Sequence, residues 1–141
     1  MTGVQTCALP IYFLNISFVG ARALASDLGA EGYGVIVSQV VPFPWATNIG
    51  VVRDYQRAMA RFAPQGTLSF TSLEGYLAAK VFAEGLRRAG RELTRERFIR
   101  ALEALSGFDA GGFFVTFTPT DHSGSRFVEL TMIGRDGRFI R

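Results

Sequence analysis

Residues Val35-Ile-Val-Ser-Gln-Val-Val41 form a nearly continuous, β-branched apolar run. Such a run suits a strand covered on both faces, as strands are in a parallel sheet lined by helices. What precedes it agrees. Phe13-Leu-Asn-Ile-Ser-Phe18 alternates apolar and polar with period two, as a half-buried strand does. Ala21, Leu24, Ala25 and Leu28 then fall on one helical face, and Gly29 suits a C-terminal cap. Strand, helix and strand in about thirty residues make a βαβ unit. The fold class is therefore α/β, with parallel sheets flanked by helices.

Pro42-Phe-Pro-Trp45 ends the second strand, because proline lacks the N–H a ladder needs. After Thr47-Asn48, residues Val51, Val52, Tyr55, Ala58, Met59 and Phe62 recur at helical spacing until Pro64 and Gly66 stop the helix. Thr71-Ser-Leu-Glu74 reads as a capping box. The long helix it opens has Leu73, Leu77, Ala78, Val81, Phe82 and Leu86 on its apolar face and ends at Gly90. Thr94 caps another helix, with Phe98, Ala101, Leu102 and Leu105 facing inward. Phe113–Phe117 and Phe127–Ile133 are strand-like, with a polar loop, Thr118–Ser125, between them. Asp136-Gly137 signals a hairpin whose return is a short edge strand, residues 138–141.

The first eleven residues, Met1 to Ile11, read as the conceptual translation of a sequencing-library adapter fused in frame. A secretory signal needs a basic start and an unbroken apolar stretch. Here no Lys or Arg precedes Arg22, and Pro10 interrupts the apolar residues. The folded chain is expected to begin near Tyr12, as a C-terminal piece of a longer protein. Cys7 is the sole cysteine, so residues 12–141 offer no disulfide, thiol nucleophile or Cys-based zinc site.

The chemistry-bearing inventory is thin. His122 is the only histidine, and its neighbour Asp121 is poorly placed to orient it for a Ser/His/Asp mechanism. No His/Asp/Glu group has metal-ligand spacing and no phosphate-cradling glycine motif occurs, so neither catalysis, nor a metal, nor a cofactor is expected. Net charge is +3, and Lys80 is the only lysine. Arg87, Arg88, Arg91, Arg95, Arg97 and Arg100 cluster, but Glu84, Glu92 and Glu96 are threaded through them. That pattern reads as a solvated mixed-charge surface rather than a nucleic-acid patch. A binding site remains. In open α/β sheets, ligands sit beyond the carboxyl ends of strands. Ser17 and Phe18 end the first strand, Trp45 follows the second, and Thr71 and Ser72 open a helix whose N-terminus favours an anion. Each also has a plain structural reading: Ser17 as a pleat residue, Trp45 as a packing plug, Thr71 as a cap.

Four stretches, taken in order, carry a resemblance: Gly34-Val-Ile-Val-Ser-Gln-Val-Val-Pro-Phe-Pro-Trp45, then Phe70-Thr-Ser-Leu-Glu-Gly-Tyr-Leu-Ala-Ala-Lys80, then Gly124-Ser-Arg-Phe-Val-Glu-Leu130, then Gly134-Arg-Asp-Gly-Arg-Phe139. Residues 12–141 resemble the C-terminal third of ABC-transporter solute-binding proteins of the leucine/isoleucine/valine-binding type. The resemblance implies an incomplete two-lobed fold that closes on its ligand by hinge bending. Residues 12–42 would belong to the second lobe, 43–122 to the first, and 123–141 to the second again, with Pro42, Pro44 and the His122 loop at the crossings. It also implies an amino-acid-like solute, a periplasmic location and an ABC permease as partner. Amino-acid binders of this type hold the ligand ammonium with an acidic residue at the end of the first strand. This chain has Ser17 there, a departure that argues against branched-chain amino acid specificity. Two alternatives stay open: a ligand-sensing regulatory domain of the same fold, and a basic nucleic-acid-binding protein.

Overall fold

The computed structural model describes residues 12–141, so the adapter-like segment and Cys7 lie outside the described residues. In chain order the elements are β1 (Leu14–Ile16), α1 (Ala21–Leu28), β2 (Ile36–Gln39), α2 (Gly50–Phe62), α3 (Phe70–Ala89), α4 (Arg95–Glu103), β3 (Phe108–Asp109), β4 (Phe114–Thr118), β5 (Asp121–Gly124), β6 (Glu129–Ile133) and β7 (Phe139–Ile140). The fold is α/β, as the sequence implies. It divides into two compact units. One takes the described residues up to Gln39 together with Leu130–Arg141; the other is Val40–Glu129.

The first unit is built on a four-stranded sheet in the order β1-β2-β6-β7. β1 and β2 are parallel, with Leu14 opposite Ile36, and α1 makes the crossover between them. β6 and β7 form the antiparallel hairpin signalled by Asp136-Gly137. Gly34 N–H donates to Ile133 O and Ile133 N–H donates to Val35 O, each at 2.9 Å, which docks β6 beside β2. Val35, Val37 and Ile133 are buried together with Ala21 and Ala25 of α1. One polar pair lies inside this apolar layer. Gln39 Nε2 donates to Thr131 Oγ1 at 3.2 Å, and Thr131 Oγ1 donates to Val37 O at 3.1 Å. Gln39 Oε1 is buried and accepts no hydrogen bond among the described residues.

The second unit packs α2, α3 and α4 with a three-stranded antiparallel sheet, β3-β4-β5. Val51, Val52, Tyr55, Leu73, Leu77, Leu105, Phe113 and Val115 are its core. α3 and α4 approach closely because Gly85 has no side chain. A Cβ there would stand 2.6 Å from Leu102 Cδ2 and 2.9 Å from Phe98 Cε2. The loop before β4 meets the start of α2 backbone to backbone, with Val51 N–H donating to Gly111 O at 2.7 Å. Gly111 has φ +110, a conformation that side chains disfavour. Lys80 ties this loop to α3, donating to Ala110 O at 2.7 Å and to Asp54 at 3.3 Å.

Several sequence expectations change in detail. The first strand ends at Ile16; Ser17–Val19 is a 3-10 turn beyond it, closed by Gly20 N–H donating to Ser17 O. The cap of α3 is Ser69, not Thr71, because the Ser69 hydroxyl takes the Ser72 N–H. Phe62 and Phe82 are 77% and 53% exposed rather than inward, Phe62 lying under the Arg61 guanidinium and Phe82 stacked edge-on against Phe98. Residues 121–124 are a strand paired with β4 rather than loop.

Candidate functional site

Within the second unit, the segment after Pro42 and the start of α3 come together. Phe43, Trp45 and Phe70 form a tilted and edge-to-face trio, with ring centroids 5.0 Å apart for Phe43 and Trp45, 5.8 Å for Trp45 and Phe70, and 6.0 Å for Phe43 and Phe70. Such geometries are the favourable ones for aromatic quadrupoles. Phe70 is buried, whereas Trp45 remains 43% exposed. The Trp45 backbone is held rigidly: Gln56 Nε2 donates to Pro44 O at 2.9 Å and to Ala46 O at 3.2 Å. Trp45 therefore presents an aromatic surface beside Phe43 and Phe70.

Directly beside it, α3 begins. Ser69 Oγ accepts Ser72 N–H at 3.1 Å and lies 2.9 Å from Ser72 Oγ. Tyr55, buried on α2, places its hydroxyl 2.5 Å from Ser72 Oγ and accepts Ser69 N–H at 3.1 Å. Three hydroxyls thus brace the first turn of α3. Ser72 is occupied in this network. The Thr71 hydroxyl is exposed, with no hydrogen bond among the described residues. The positive end of the helix dipole adds a preference for negative charge at this position.

Ser17 and Phe18 belong to the other unit. Phe18 is 93% exposed on its turn and Ser17 is half-buried. The five residues singled out from the sequence thus divide three and two: Trp45, Thr71 and Ser72 in one unit, Ser17 and Phe18 in the other. Phe43, Phe70, Tyr55, Ser69 and Gln56 were not singled out. Phe43 has a local signal in its flanking prolines, and Tyr55 one in the apolar stripe of α2.

His122, Asp121 and Asp109 lie outside this cluster. His122 Nε2 faces Glu103 Oε1 at 3.2 Å, while Asp121 accepts the Ser123 N–H, so Asp121 does not orient His122. Hydrogen bonds from the Ser123 side chain and backbone lower the Asp121 pKa. Backbone N–H groups of Gly112 and Gly111 lower that of Asp109. The trio and the start of α3 supply an apolar wall, a free hydroxyl and a positive dipole. That equipment can hold a small solute with an apolar body and an anionic end.

The sequence matches the periplasmic binding protein family over residues 9–138. The chain belongs to that family. Among solved structures, a possible leucine/isoleucine/valine-binding protein from Rhodopirellula baltica SH 1 is 36% identical, with TM-score 0.84 over 94% of this chain and 36% of its own. A substrate-binding periplasmic protein from Ralstonia solanacearum is 36% identical, with TM-score 0.83 over 93% of this chain and 38% of its own. An extracellular ligand-binding receptor from Verminephrobacter eiseniae ef01-2 is 30% identical, with TM-score 0.78 over 92% and 37%. The chain spans a little over a third of the length of these periplasmic binding proteins. No curated protein sequence matches it significantly.

Proposed function

We propose that the chain is the C-terminal part of a periplasmic solute-binding protein that delivers an amino-acid-like solute to an ABC permease. The observation that carries this reading is the 36% identity, over 94% of the chain, to a possible leucine/isoleucine/valine-binding protein. The mechanism is capture, not chemistry. The two units are assigned to two lobes, and the chain passes between them at Gln39–Val40 and Glu129–Leu130. The sequence reading puts those crossings after residues 42 and 122. A solute that touches both lobes shifts the open and closed populations by its difference in affinity for them. Trp45 supplies the apolar wall, and Thr71 and the α3 N-terminus take the anionic end; Ser17 and Phe18 are the candidate ligand residues of the other unit. Serine at position 17 provides no charge for an ammonium, so the carboxylate and the apolar body dominate recognition.

Calorimetry tests this on a protein extended to the full length of its relatives. Leucine, isoleucine, valine and their 2-oxo acid analogues are titrated in turn. Saturable one-site binding of at least one compound is expected, with the 2-oxo acids retained as ligands. The 141-residue chain alone should give no binding heat. Silence of the extended protein toward every compound, or micromolar binding by the short chain alone, refutes the reading.

A further inference from the structure

The chain's net charge sits in one place. Residues 84–100 hold six arginines and three glutamates, while the rest of the chain holds nine basic and nine acidic residues in balance. The whole net charge of +3 thus belongs to the end of α3, the turn after it and the start of α4.

Ion pairing within the cluster uses only part of it. Glu84 is gripped by Arg87 at 2.7 Å and by Arg88 at 2.6 Å, and Glu92 pairs with Arg97 at 2.8 Å. Arg91, Arg95 and Arg100 are exposed, with no ion-pair partner among the described residues. Helix stability explains Arg87 and Arg88, which suit the negative C-terminal end of α3, and Arg100, which suits that of α4. It does not explain Arg95 and Arg97, which stand in the first turn of α4, where the dipole opposes cations. Apolar surface accompanies the charge: Leu93 is 54% exposed, Phe82 53% and Ile99 39%.

We propose that this α3–α4 corner is a docking surface for an acidic protein face. The composition selects the partner class. Arginine's planar fork matches carboxylates in pairs, and arginine with exposed aromatic and aliphatic neighbours is the composition of protein interfaces. The interleaved Glu92 and Glu96 would repel the unbroken phosphates of nucleic acid or an anionic bilayer, but they suit a protein surface of mixed sign. The partner carries carboxylates opposite Arg91, Arg95, Arg97 and Arg100 and an apolar patch opposite Leu93. This proposal goes beyond solute capture and does not depend on which solute is bound, so the two readings can fail separately.

The probe is a short fluorescein-labelled peptide of glutamate and leucine, followed by anisotropy with the 141-residue chain. One variant replaces Arg91, Arg95, Arg97 and Arg100 by glutamine. A control removes the same charge elsewhere, with Arg53, Arg61, Arg126 and Arg135 replaced by glutamine. The corner variant should bind at least about tenfold more weakly and the control within about twofold of the parent, with binding falling steeply as salt is raised. Amide shift mapping on the unaltered chain adds a readout that needs no variant: perturbations should concentrate in residues 84–100. Equal losses in both variants, no peptide binding by the parent chain, or tighter binding of phosphatidylglycerol vesicles or duplex DNA than of the peptide would overturn the proposal. Shifts scattered over the chain would do the same.

Discussion

Replacing Tyr55 by phenylalanine removes one oxygen from behind the first turn of α3. The ring stays, so the core keeps its volume. Tyr55 is 1% exposed, and water does not readily replace the lost oxygen. Three contacts vanish: the Ser69 N–H at 3.1 Å, the Ser72 hydroxyl at 2.5 Å and a longer donation to Ser69 O at 3.5 Å. The Ser72 hydroxyl retains an alternative acceptor in Ser69 O, at 3.2 Å. The Ser69 N–H retains none. One lost hydrogen bond and one orphaned, half-buried donor together cost about 2 kcal/mol. For a chain of this size that lowers the melting temperature by about 8 °C. Circular dichroism melts of the parent and Tyr55→Phe chains measure the shift. Amide exchange at Ser72 and Leu73 should accelerate before exchange in α2, since the loss is local to the α3 cap. A cycle with Ser72→Ala should show a coupling of about 1 kcal/mol, because the two hydroxyls share one contact. A melting temperature within about 1 °C of the parent, or strictly additive costs, would refute the bracing role given to Tyr55.

Other outcomes follow from the same geometry. Gly85→Ala drives a methyl into Leu102 and Phe98 and should cost about 1–2 kcal/mol despite better helix propensity, whereas Gly75→Ala, with open space around its Cβ, should stabilise by about 0.5–1 kcal/mol; paired denaturant titrations separate them. Thr131→Val leaves the Gln39 amide buried without its hydroxyl partner and should cost about 1–3 kcal/mol, while Gln39→Leu combined with Thr131→Val should return close to the parent in the same titration. Hydrogen bonds from Arg87 and Arg88 hold Glu84 down to about 2, against an ordinary value of 4.5. Its stabilising contribution is therefore complete above pH 4.5 and is lost as pH falls toward 2, so acid titration of Glu84→Gln should show a shallower decline across that window, with the difference shrinking at high salt.

The parts legible in the sequence were those set by local period and punctuation. The β-branched run at Val35–Val41, the hairpin signal at Asp136-Gly137 and the helix stops at Gly29 and Gly90 all have local physical causes, and each element forms where its cause stands. The parts that were not legible depend on contacts distant in sequence. β5 escaped notice because Asp121-His-Ser-Gly124 is polar and gains its strand form only by pairing with β4. The cap of α3 is Ser69 rather than Thr71 because the Ser69 hydroxyl accepts the Ser72 N–H, and Tyr55, fourteen residues earlier, holds Ser69 in place by taking its N–H. Phe82 fits the helical stripe by spacing, yet its partner Phe98 approaches at the edge of α3 where solvent still reaches. In the candidate site, Trp45 was visible because prolines bracket its segment, but the trio it forms needs Phe70, twenty-five residues away.

Trp45 is the chain's only tryptophan and stands in the proposed apolar wall. The decisive measurement is a difference fluorescence titration on the extended protein, parent minus Trp45→Phe, with leucine and its 2-oxo analogue. A saturable change in the Trp45 difference spectrum, at the same midpoint as the calorimetric binding curve, is the expected result. Solute binding with an unchanged difference spectrum and an unaltered midpoint in Trp45→Phe would contradict the placement of the solute at Trp45 and the start of α3.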